Sequence, residues 1–178
     1  MLKKLTTLFY PSFCRSCNIL IPQDYIFCSN CDGKIKPIVS SFLQITPQKS
    51  LKVFAISDYK DPLRSLVLKK SFSEILASKQ LAQIILQKTI IKKLDIDFIV
   101  PIPLHWSRYA WRGYNQSHVM AKVLGKELQK PVLNILRRTK RTVFQSTLNV
   151  EKRKENVKGV FDISFNLSCY PITTHTMS

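Results

Sequence analysis

Four cysteines carry the most specific chemistry in this chain. Cys14 and Cys17 form one Cys-x-x-Cys pair, Cys28 and Cys31 form another, and ten residues separate the pairs. Two residues between thiols let one tight turn bring both sulfurs to the same ion. Two such turns complete a tetrahedral four-thiolate set, the arrangement of structural zinc sites. A closed ligand set leaves no position for substrate, so the metal is expected to be structural, not catalytic. Two disulfides, an iron–sulfur cluster or a redox dithiol are the other readings. A cytosolic compartment disfavours disulfides, and a redox Cys-x-x-Cys normally occurs singly beside a βαβ unit. The gap between the pairs suits a small hairpin, with residues 19–21 and 25–27 as strands and Pro22-Gln23-Asp24 as the turn. Cys169 stands alone and reads as an incidental thiol.

A second group of residues is basic and aromatic. Residues 104–116 combine His105, Trp106, Trp111, Arg112, Asn115 and Gln116, and a cluster of Arg137, Arg138, Lys140 and Arg141 follows further on. Guanidinium and ammonium groups bind phosphate, and indole rings stack on unpaired bases. Trp106, Trp111, Arg137, Arg138, Lys140 and Arg141 are therefore nucleic-acid-binding candidates. Arg112, Asn115 and Gln116 are candidates for contact with a phosphate or a base. Each has a structural reading as well: Asn115 as a helix cap, His105 as a packed imidazole, the tryptophans as loop anchors and the arginines as a solvated hinge.

The elements that must position these groups are α/β in kind. Residues 33–50, with Pro37, Pro47 and several serines and threonines, read as a linker. Residues 53–56 read as a strand. Asp61-Pro62 reads as the start of a helix that buries Leu63, Leu66 and Val67. A longer helix is expected from a cap at Ser71 or Ser73 to about Lys93, with Ile75, Leu76, Leu81, Ile84, Ile85 and Ile91 inward. Residues 97–103, an apolar run ended by Pro101-Ile102-Pro103, read as a buried parallel strand. A helix over 116–130 and a strand over 131–136 complete a βαβ unit. Ligands of such sheets sit beyond the carboxyl ends of the strands, which is where residues 104–116 fall. Residues 137–158 read as a long polar loop working on a ligand, and residues 159–163 as a return to the sheet.

Composition bounds the partners. Among 178 residues, 28 Lys and Arg face 11 Asp and Glu, a formal charge of +17. That excess favours polyanions, although a solvated lysine-rich surface would have the same composition. No apolar run approaches the length of a bilayer span. The start, Met1-Leu2-Lys3-Lys4, is broken too early for a signal peptide. The chain reads as cytoplasmic.

These blocks in this order resemble the ComF (competence protein F) family. The resemblance rests on the four-cysteine module, Asp61-Pro62-Leu63-Arg64, Val100-Pro101-Ile102-Pro103-Leu104-His105 and Arg112-Gly113-Tyr114-Asn115-Gln116-Ser117. It continues through Arg138, Gln145, Leu148, Arg153 and Asn156-Val157-Lys158-Gly159-Val160-Phe161. It implies a type I phosphoribosyltransferase-like parallel sheet over 51–178 behind a zinc module and linker over 1–50. It also implies an association with DNA uptake in natural transformation. Arg112, Asn115, Gln116, Arg138, Gln145 and Arg153 would be the substrate-binding residues for phosphoribosyl pyrophosphate (PRPP) with magnesium, and residues 137–158 the hood over it. The family's acidic, Thr-Thr-Gly phosphate loop has only a faint echo in Ile172-Thr173-Thr174 and Thr176, with His175 in place of glycine. The expectation is a sheet incomplete on its C-terminal side, truncated before that loop. No residue is then expected to be catalytic, and no phosphoribosyl transfer is expected. Two further readings stand beside this one. One is a single-stranded nucleic-acid-binding accessory that works with DNA-uptake or recombination proteins; the other is a non-functional remnant.

Overall fold

The structure, a computed structural model, describes residues 11–36, 41–71, 75–143 and 149–164. It divides into two compact units, residues 1–93 and 94–178. Among the described residues no helix is long and apolar enough to cross a membrane.

The first unit begins with a strand pair, β1 (Ser12–Phe13) against β2 (Leu20–Ile21), antiparallel. This pair closes around the first Cys-x-x-Cys turn. The expected hairpin between the cysteine pairs is therefore displaced: residues 20–21 pair backwards with 12–13, not forwards with 25–27. The turn at Pro22 does form, with Tyr25 N–H donating to the Pro22 carbonyl at 3.1 Å. The second pair is carried by a single helical turn, α1 (Ser29–Asp32). Residues 33–50, expected as a linker, instead contribute β3 (Ser41–Thr46), which pairs antiparallel with β4 (Lys49–Val53). Proline at 47 falls in the tight turn of this hairpin, where its fixed φ is an advantage. The strand expected at 53–56 accordingly ends at Val53.

Helices α2 (Leu63–Ser71) and α3 (Ile75–Lys88) follow. The Asp61 carboxylate accepts from the Ser65 N–H at 3.1 Å and from the Ser65 hydroxyl in the first turn of α2, which begins at Leu63, one residue later than expected. Leu63 and Leu66 are buried. The expected cap of α3 at Ser71 or Ser73 lies at the edge of residues outside the description. The helix stops at Lys88, short of Lys93, and a 3-10 turn covers Ile90–Lys93. Leu81 and Ile84 are buried as expected, but Ile75 and Leu76 are exposed, and the inner face is completed by Ala77, Ser78 and Ala82. Small side chains let a neighbouring helix approach closely, so the hydrophobic pattern alone misplaces the stripe by part of a turn.

The second unit holds α4 (Trp106–Arg112), α5 (Gln116–Leu128), β5 (Leu136–Arg138), α6 (Val150–Val157) and β6 (Phe161–Ile163). The strands of the described residues pair antiparallel throughout: β1 with β2, β3 with β4, β5 with β6. The parallel sheet of the sequence reading is represented only by one parallel bridge, Ile99 with Val132. Ile99 N–H donates to the Pro131 carbonyl, and Leu133 N–H to the Ile99 carbonyl, each at 2.9 Å. The segment over 97–103 is largely half-buried, not sunk in a sheet. Pro101, Pro103 and Pro131 have no amide hydrogen to extend a ladder, which is why pairing stops after one bridge.

Gly125 brings α5 onto this bridge. A Cβ there would lie 2.7 Å from Val132 Cγ2 and 2.9 Å from the Lys130 carbonyl oxygen. Residues 137–158 are not one unstructured loop. They leave through β5, carry α6, and return through β6 in the register Leu136–Ile163, Arg137–Asp162, Arg138–Phe161. Asn149 caps α6 through the Lys152 N–H at 2.9 Å. Gln145, Cys169 and the Ile172–Thr176 stretch lie outside the described residues.

Candidate metal centre and basic cleft

The first Cys-x-x-Cys forms a tight turn. Asn18, in the left-handed region at φ 60°, donates its N–H to the Cys14 carbonyl at 3.0 Å, and Cys14 N–H donates to the Ile19 carbonyl at 2.8 Å. The second sits at a helix start, where Cys28 is the N-cap and its sulfur accepts from the Cys31 N–H at 3.4 Å. Cys28 N–H in turn donates to Cys14 Sγ at 3.4 Å. All four Sγ atoms lie within 4.8 Å of one another, and Cys17 Sγ is 3.6 Å from Cys28 Sγ. A tetrahedron with metal–sulfur bonds of about 2.3 Å has sulfur–sulfur edges of about 3.8 Å, so the group fits one metal ion.

The thiols are chemically divided. Burial pushes the Cys14 thiol up, but amides of Cys17, Cys28 and Ser16 outweigh it and bring it down to about 6. Burial and the neighbouring Cys28, Cys17 and Cys14 sulfurs push Cys31 up to about 12. The two shifts run in opposite directions within one cluster of four sulfurs. A divalent ion removes the conflict, because thiolates are its ligands. The module is tied to α3 by the Lys88–Asp32 ion pair at 2.6 Å.

In the second unit the Pro-x-Pro strand end and the Arg-Gly-Tyr-Asn-Gln-Ser block clasp each other. Asn115 caps α5 through the Ser117 N–H at 3.0 Å. Its amide nitrogen donates to the Ile102 carbonyl at 3.0 Å, and Ile102 N–H donates to Ser117 Oγ at 3.0 Å. Gly113, at φ 75°, terminates α4. His105 is buried and caps α4, its Nδ1 accepting from the Ser107 N–H at 3.3 Å. Asn115 and His105 are thus occupied in building the backbone.

The arginines are brought together by the same framework. Arg108 and Arg112 are one turn apart on α4. Arg108 donates to the Thr142 carbonyl at 2.5 Å, and Arg138 donates to the Thr142 hydroxyl. Burial, then the nearby Arg138, Arg112 and Arg141 charges, lower the Arg108 guanidinium; burial lowers Arg138. Four guanidinium groups thus share one region. The buried Nε atoms of Arg112 and Arg138 and the amide nitrogen of the buried Gln116 lack a hydrogen-bond partner among the described residues. Arg137 is engaged elsewhere, bonded to Asp162 at 2.6 Å across β5 and β6. Lys140 and Arg153 are exposed, Arg153 on α6. Trp106 and Trp111 are 75% and 73% exposed on α4, so they project as platforms instead of packing inward. Asn156 steadies the backbone at Val143, accepting from its N–H at 3.2 Å and donating to its carbonyl at 3.1 Å.

Arg108 is the functional candidate that the sequence reading misses. Its spacing from Arg112 marks one helix face only once residues 106–112 are known to be helical. Two clefts flank α4. One, of about 500 Å³, is lined by Arg108, Trp111 and Arg141; the other, of about 720 Å³, by Trp106, Tyr109 and Arg138.

Comparison with known proteins finds relatives along most of the chain. The chain is 26% identical over 168 residues to competence protein F of Haemophilus influenzae, covering 89% of this chain and 72% of that protein. It is 30% identical over 160 residues to the DNA utilization protein YhgH of Salmonella typhimurium, and 28% identical over 158 residues to that of Escherichia coli. Each of these covers 84% of this chain and 64% of the relative. No protein-family model and no solved structure matches. With the four-cysteine cluster and the mutually clasped blocks in place, the chain is similar to competence protein F and to the DNA utilization proteins over most of its own length.

Proposed function

We propose that this chain handles DNA, as the names of its relatives indicate for them, by binding single strands on the basic face of its second unit. The observation that carries this is the gathering of Arg112, Arg138 and Arg141 around Arg108, with Trp106 and Trp111 exposed on the same helix α4. Clustered like charges are unfavourable alone and become favourable when a polyanion neutralises them. Exposed indole rings on α4 supply sequence-tolerant stacking. The four cysteines hold a structural zinc ion, which organises the N-terminal module and takes no part in binding chemistry.

A second reading has one observation in its favour. The arginines of α4 follow a strand end joined in parallel to Val132, the position at which α/β folds bind phosphorylated ligands. A phosphoribosyltransferase-like sheet would use them, with Gln116 and Arg153, for PRPP and magnesium. Titrating the zinc-loaded chain with a short single-stranded DNA, and separately with PRPP plus magnesium, at two salt concentrations separates the two. DNA binding that weakens steeply with salt, without saturable PRPP binding, is expected. Saturable PRPP binding alone would replace the DNA reading with the second one.

A further inference from the structure

The cleft between α4, α5 and β5 has features that the arginine cluster does not require. It encloses about 720 Å³, within the range of small-molecule sites. Tyr109 and Trp106 stand on its α4 wall, with Trp106 leaning on the buried His105 ring at a centroid distance of 5.6 Å. Its far side carries a polar pair, His118 Nδ1 and Asn134 Oδ1, 3.2 Å apart. An amide oxygen only accepts, so this contact places the proton on His118 Nδ1. His118 Nε2 and the Asn134 NH₂ group remain as the other polar atoms of this pair. Lys122 and Arg138 complete the lining. Aromatic wall, polar edge and cationic rim together match the face, edge and phosphate of a nucleotide.

We infer that this cleft holds one unstacked base of a single strand, with its phosphate toward Arg138. This deepens the DNA reading above and rests on it. A base paired in a duplex keeps its face stacked and its edge engaged, so the cleft would select single strands. Stacking on such platforms changes affinity by about 5- to 150-fold per base.

The test is anisotropy titration of the full chain with a fluorescent 12-mer of dT, the same length with abasic sugars throughout, and a duplex. The abasic strand keeps the phosphates and removes the bases. Expected is tighter binding of dT by about 5-fold or more. That preference should be lost on Trp106→Ala with Tyr109→Ala, and also on Val119→Phe, which fills the cleft from α5. Melting temperatures of the variants identify any that fail to fold, and Val119→Phe serves if the double variant does. Equal binding of dT and abasic strands leaves the arginine reading standing and overturns the base cleft. A dT preference that survives in folded variants overturns it too. Absence of binding to every oligonucleotide sinks both readings.

Discussion

At Cys14 three backbone amides outweigh burial, while at Cys31 burial and three sulfurs act the other way. The cluster fits one metal ion, and that fit makes a prediction. Purified chain is expected to contain one zinc ion, lost in a Cys31→Ser variant and on treatment with a strong chelator. Modules of this type are unfolded without metal, so either change should lower the melting temperature of the first unit. Because protons compete for thiolates, retention should weaken as pH falls. A melting curve indifferent to chelator would show that the four sulfurs do not depend on metal. Asn115 illustrates a different lesson at this scale. Its residue type suits both a ligand contact and a helix cap, and its bonds to Ser117 and Ile102 use both ends of its amide. Asn115→Ala should cost about 1 kcal/mol of stability, read by denaturant unfolding. A variant with unchanged stability and weakened DNA binding would reassign it to the ligand.

Elements are unevenly legible in the sequence, and the reasons are local. The α5 helix is legible because Asn115, an apolar stripe and few breakers agree over 13 residues. Helix α4 is not, since seven residues are too few for a periodic signal to stand out. The β3–β4 hairpin passes for a linker because Pro47 and scattered serines resemble loop composition. Gly125 gives the clearest element-scale prediction. A methyl group there meets Val132 and the Lys130 carbonyl well inside contact distance, so Gly125→Ala should destabilise the second unit by about 1–3 kcal/mol. Unfolding by denaturant would measure this, and a neutral substitution would mean α5 does not press on the bridge. The β5–β6 pair offers a pH prediction. The Arg137 bond and the Ile163 N–H hold the Asp162 carboxyl below its ordinary range. Its stabilisation is therefore complete above the unfolded carboxylate value and is lost as pH falls through the lower folded value. Chemical shifts of Arg137 and Ile163 amides should change together in that acid window. Shifts that move at ordinary carboxylate pH would contradict the pairing.

For the whole molecule, charge is the decisive quantity. A formal +17 guarantees some attraction to any polyanion, so affinity by itself distinguishes little. The salt slope does. Each neutralised phosphate contributes about −0.9 to the slope of log affinity against log salt on duplex DNA, and about −0.7 on single strands. Replacing Arg108 and Arg141 with Gln should reduce the single-strand slope by roughly one to two, whereas replacing Lys60 and Lys92 should leave it nearly unchanged. Equal effects from both pairs would indicate diffuse attraction without a site. The four-cysteine metal set, the basic character and the family blocks were all determined by the sequence itself, because each depends on residue identity and on spacing within one turn. Which arginines converge, which asparagine is already bonded and how far the parallel pairing extends were decided only by tertiary structure. Thr142, 34 positions after Arg108, joins it to Arg138, and Pro101, Pro103 and Pro131 limit the bridge at Ile99. Contacts between residues distant in sequence depend on how elements dock, and no local period or propensity carries that information.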